Sequence, residues 1–94
     1  MTQVRFTPRF AVELDAAIAW YEIISEEVAD DFRQKVSGLF ESISVHPEAF
    51  AILELPYRVA KVKQFPWLIV YAYDSVEDLV VLIRMAHSAS SEIW

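Results

Sequence analysis

Lys61, Lys63, Arg84 and His87 are the side chains in the C-terminal half best suited to hold an anion or move a proton. On a strand, Lys61 and Lys63 share a face about 7 Å apart. That spacing suits two adjacent phosphates or one acidic partner segment, and equally the solvated lysines that guard an exposed sheet face. Arg84 and His87 open the stretch "RMAHSASSEIW" three positions apart, on opposite strand faces unless a bulge or the strand end turns one of them. Histidine shuttles protons near neutral pH, yet a lone histidine at a strand end also serves as a hydrogen-bonded structural residue. Ser88, next to it, lacks the glycine pattern of a nucleophile elbow and an evident orienting acid. His46 and His87 show no HxxxH or HExxH spacing, so no metal site is expected. Gly38, the only glycine, falls within a helical pattern, which leaves no glycine-rich phosphate loop and no expected cofactor.

The elements that position these residues follow from periodicity. "QVRF" reads as a short strand, Thr7 as a helix cap and Pro8 as a first-turn residue. Phe10, Leu14, Ala17, Ile18, Tyr21 and Ile24 then recur at steps of three and four, one helical stripe that belongs in a core. Ser25 caps a second helix, with Glu26 and Glu27 in its first turn where the helix dipole favours negative charge. Its stripe is Val28, Phe32, Val36, Leu39, Phe40 and Ile43, and it ends where His46 meets Pro47. The two helices form a hairpin with a very short turn.

From Tyr57 the period becomes two. Val59, Lys61, Lys63 and Phe65 take one face of "YRVAKVKQF", and Arg58, Ala60, Val62 and Gln64 the other. "WLIVYAY" is apolar on both faces, as a central strand should be, and "LVVLIRMAH" follows the polar turn "DSVED". Such short links require an antiparallel three-stranded meander. The expected architecture is α+β in the order β-α-α-β-β-β, with the helices on one sheet face and the other face available. Trp20 stands off the first helix's stripe, placed to cover the helix-sheet junction or to meet a partner. The other aromatics read as core.

The 94 residues are enough for one domain that buries about 60% of its unfolded surface. A composition 55% apolar excludes a disordered chain. With no cysteine, no signal-peptide pattern at "MTQVRF" and no apolar run of membrane-spanning length, a cytoplasmic protein is expected. The net charge of −6 argues against a general nucleic-acid binder. Residues 1–56 hold 10 acids and 4 bases, whereas residues 57–94 hold 4 and 4, the bases being Arg58, Lys61, Lys63 and Arg84, so a local positive patch is compatible with the second half.

The succession "FTPRFAVELDAAIAWYE", "HPEAF", "YRVAKVKQFPWLIVYAY" and "LVVLIRMAHS" resembles the RelE/ParE superfamily of toxins from bacterial toxin-antitoxin modules, over nearly the whole chain. The opening "TPRF" with "AIAWYE", together with "FPWLIVY", looks most like the ParE-type, plasmid-stabilisation branch. The resemblance implies a small cytoplasmic toxin held inactive by an antitoxin that wraps it. It also implies a target: DNA gyrase for the ParE branch, or translated mRNA for the ribosome-dependent ribonuclease branch. A degenerate member that only binds its antitoxin is the third possibility.

Lys61 falls where the ribonuclease branch carries a functional lysine, and Lys63 preserves a basic position. Leu68 and Ser88 stand where that branch has arginines, and Trp94 replaces a terminal tyrosine. Little then remains to stabilise charge on a phosphate in a cleavage transition state, so the resemblance leans toward a non-enzymatic toxin. His87 agrees with the "HG-basic-basic" ending of the ParE branch, while "SASSE" replaces its glycine and basic residues. The expected partner surface comprises Arg58, Lys61, Lys63, Arg84, His87, Trp20 and Trp94. Antitoxin pairing should rest more on apolar burial than on charge steering, with any complementary acid directed at the four cations.

Overall fold

Thr7 and Pro8 start the first helix, as their types predict. The Thr7 hydroxyl accepts from the Phe10 amide at 3.0 Å, and Pro8 fills the first turn, where its missing N–H costs nothing. The computed structural model describes residues 2–89; in it strand β1 (Gln3–Phe6) leads into helix α1 (Pro8–Ile24). Ser25 then does two jobs. Its amide donates to the Tyr21 carbonyl at 2.8 Å and closes α1, while its hydroxyl accepts from the Val28 amide at 3.3 Å and opens helix α2 (Glu26–Val45). A single residue therefore joins the helices. Helix α2 stops at His46, directly ahead of Pro47.

Strands β2 (Ala51–Glu54), β3 (Tyr57–Lys61), β4 (Trp67–Asp74) and β5 (Leu79–His87) follow. The sheet order is β1-β5-β4-β3-β2, with β1 parallel to β5 and all other pairs antiparallel. The expected meander is present as β3, β4 and β5. Strand β2 was not expected: it is a four-residue edge strand set by pairing Ala51 to Val59 and Ile52 to Arg58, and so short a run carries little periodic signal. The parallel β1–β5 pair is possible because the whole helical hairpin serves as the crossover.

One core lies between the hairpin and the sheet. Phe10, Ala17 and Tyr21 of α1 and Ala29, Phe32, Val36 and Ile43 of α2 pack on Ala60, Ile69, Tyr71, Val80, Leu82 and Met85. The rings of Tyr21, Phe32 and Phe65 form its aromatic centre, with centroids 4.8 to 5.2 Å apart. Ile24 and Val28, expected in the stripes, are instead exposed, because both flank the one-residue connection at the hairpin's end. The face away from the helices is also less open than expected. Val70 and Ala86 alternate onto it and are fully buried, and their neighbours Val59, Leu68 and Arg84 are only partly exposed. Among the described residues no helix is long and apolar enough to cross a membrane.

Candidate partner-binding groove

Strand β1 ends at Phe6, opposite Leu82, so among the described residues the second half of β5 has no strand beside it on that edge. Helix α1 takes over the pairing. The Thr7 amide donates to the Leu82 carbonyl at 3.0 Å, the Thr7 hydroxyl to the Ile83 carbonyl at 2.7 Å, and the Met85 amide to Glu13 Oε1 at 3.0 Å. A bulge falls here as well: Leu82 pairs with Tyr71 and Arg84 with Val70, leaving Ile83 as the extra residue. Arg84 bends around the edge, and its guanidinium donates to Glu13 Oε2 at 3.3 Å and to the Met85 carbonyl at 3.1 Å. Arg9 meets the same carboxylate at 3.5 Å.

Between α1 and this edge runs a groove of about 640 Å³, lined chiefly by Glu13, Ala16, Trp20, Trp67, Arg84 and His87. Its floor is apolar and fixed. The Trp67 indole N–H donates to the Tyr21 hydroxyl at 3.0 Å, and the His87 ring stands edge-on to Trp67 with centroids 5.3 Å apart. His87 Nδ1 accepts from the Ala89 amide at 3.1 Å. Trp20 forms one wall and remains 61% exposed. Because the groove lies at the sheet edge, residues from both strand faces reach it, which is how Arg84 and His87 converge with Trp20. The arrangement suits a partner's apolar side chains; a partner carboxylate would compete with Glu13 for Arg84.

The other expected site residues lie elsewhere. Lys61 closes β3, and its ammonium donates to the Val62 and Phe65 carbonyls at 3.3 and 2.9 Å, tying down the turn before β4. Lys63 is in that turn and not on a strand face beside Lys61. Gln64 takes a positive φ of 69°, which ends the alternation and returns Phe65 to the core, where the strand reading had put it on the lysine face. The two lysines border a shallow depression with Gln34, Lys35 and Ser42 of α2 and do not line the groove. Arg58, expected to meet a partner, is buried on the core face, and one guanidinium nitrogen donates to the Glu48 and Phe50 carbonyls at 3.0 Å each. It anchors the segment after α2. Above it, the Tyr71 hydroxyl donates to the Pro47 carbonyl at 2.8 Å, and burial pushes that phenol up to about 12, partly offset by the Arg58 charge. Trp94 lies outside the described residues.

Sequence reasoning passed over Glu13, Tyr21 and Trp67 as groove residues. The two aromatics looked like core, which one face of each is. Glu13 carried a faint signal: an acid one step off the core stripe, facing an arginine-bearing strand end.

A mixed sheet with a tight helical hairpin on one face is a fold shared by small toxins of bacterial toxin-antitoxin modules. The chain belongs to the ParE toxin family of type II toxin-antitoxin systems, parDE, whose model matches residues 4–91. A chain of the chromosomal ParDE TA system from P. aeruginosa superposes with a TM-score of 0.75 at 16% identity, over 93% of this chain and 96% of that one. The isolated E. coli RelE toxin gives 0.60 at 17% identity, over 99% and 90%. A chain of the E. coli DinJ-YafQ complex gives 0.66 at 13% identity, over 95% and 96%. At these identities the likeness is one of fold. A comparison with curated protein sequences finds no significant match.

Proposed function

We propose that this ParE-family toxin acts by binding proteins: an antitoxin occupies the groove between α1 and β5 in the resting state, and DNA gyrase is the target of the free toxin. One observation carries the reading. The groove offers an exposed indole over an apolar floor while its only cation among the described residues, Arg84, is held by Glu13, an arrangement suited to burying a partner's side chains. Two of the cations expected to serve a ribonuclease, Lys61 and Arg84, are engaged on the chain itself. Lys61 is held by two carbonyls, and Arg84 by Glu13 and the Met85 carbonyl.

Co-purification with the product of the neighbouring reading frame tests the antitoxin half. Trp20→Ala should weaken that complex at least about tenfold, as loss of an interface tryptophan does, with an unchanged melting temperature. A supercoiling assay with purified gyrase tests the target, and inhibition is expected. Primer extension on translated mRNA provides the opposing outcome: codon-associated cuts that vanish in Lys61→Ala would replace this reading with an mRNA interferase.

A further inference from the structure

Helix α1 is apolar on two sides. Phe10, Leu14, Ala17 and Tyr21 face the core, yet Val12, Ala16, Ala19 and Ile23 form a second line, and Val12 and Ile23 are 68% and 81% exposed. At about 100° per residue, this second line falls on the outer surface, beside Trp20 and away from the core. Its 4-3-4 spacing is that of a helix-packing seam. The two alanines at its middle leave a shallow saddle in which a second helix can approach to about 8 Å. Ala16 and Trp20 also line the groove, so seam and groove are one continuous apolar surface.

The charges at its rim select the occupant. Glu13 is answered by Arg9 and Arg84, and Glu22 by Arg33. Asp15 beside the seam, and Glu26 and Glu27 beyond its C-terminal end, make no ion pair among the described residues. A second copy would bring another chain of net charge −6 against those carboxylates. We propose that the outward seam of α1 receives an amphipathic helix whose apolar stripe is flanked by lysine and arginine. Resting on the reading of this chain as an antitoxin-held toxin, the inference assigns that helix to the antitoxin. It reverses the charge polarity expected from the resemblance, in which the antitoxin would bring acids to basic residues of the toxin.

The test uses two synthetic peptides of about 18 residues with the same leucine-alanine stripe, one flanked by lysine and the other by glutamate. Each is titrated onto the full chain by fluorescence anisotropy. The lysine peptide should bind at least about tenfold more tightly in about 0.05 M salt, and the preference should shrink toward parity in about 0.5 M salt. Ala16→Glu, on an exposed helix face, should abolish lysine-peptide binding without moving the melting temperature, and Asp15→Lys with Glu26→Lys should reverse the preference. Equal affinities, tighter binding of the glutamate peptide or indifference to Ala16→Glu would overturn the proposal. So would a dimer in sedimentation that Ile23→Glu dissolves, since the seam would then take a second copy. The antitoxin assignment fails separately: if the lysine peptide passes every arm but the neighbouring reading frame's product neither binds nor relieves growth arrest, the basic-helix surface stands and its owner is another protein.

Discussion

Two cation-bearing corners of this molecule look alike in sequence and differ in structure. At the turn after β3, Lys61 and Lys63 border a depression shared with Gln34, Lys35 and Ser42, and Lys61 is committed to backbone carbonyls. At the end of β5, Arg84 is likewise committed, to Glu13 and a carbonyl, but its surroundings are Trp20, Trp67 and Ala16. In both corners the cation holds the fold together. Only the second adds a large exposed apolar surface, and such surface marks an interface more reliably than charge does. The lesson is that basic residues at toxin-like positions need not be free to meet a nucleic acid.

The contrast can be broken by experiment. Phe65→Ala removes the ring that the lysine turn returns to the core beside Tyr21 and Phe32, and should cost about 3–5 kcal/mol in urea unfolding. A smaller loss would mean that the turn is loosely seated and its lysines are freer than described.

Alkaline titration checks the buried side of the same strands. The Tyr71 phenol is raised from about 10 to about 12, so its stabilising contribution is complete below the unfolded value and is lost as pH climbs through the folded one. Stability should fall by roughly 2–3 kcal/mol over that window, and Tyr71→Phe should flatten the slope there.

Glu13→Ala comes next. It leaves the buried Met85 amide unmatched and Arg84 without its carboxylate, a loss of about 1–3 kcal/mol by thermal unfolding. The smallest effect belongs to Lys61→Ala, about 0.5–1 kcal/mol, with growth arrest on induced expression unchanged. A loss of arrest in that variant would move the functional weight from the groove to the lysine corner.

What could be read from the sequence was whatever depends on near neighbours. Thr7 and Ser25 bond three residues ahead, so their capping roles are written locally, and the helical stripes repeat over several turns. Strands β3, β4 and β5 were legible because apolar runs and polar turns alternate at short range. Strand β2 was not, since its existence depends on β3 lying alongside. The fate of the cations was hidden for the same reason. Nothing near Arg58 in sequence says that it will bond the Glu48 and Phe50 carbonyls across the β2–β3 hairpin, or that Glu13 will meet Met85 seventy-two positions away. Lys63 was misplaced by a backbone event: β3 ends at Lys61, four residues before Phe65, and the chain enters a turn in which Gln64 is left-handed.

The double duty of Ser25 has a mechanical consequence. With no slack between the helices, the phase of α2 about its own axis is dictated by where α1 stops. One residue inserted there would rotate the second helix by about 100°, carrying Phe32, Val36 and Ile43 off the sheet and pointing Asp31 and Lys35 toward it. The hairpin is thus a pivot with a single permitted setting, and the surface that α1 presents outward inherits its steadiness from that one serine.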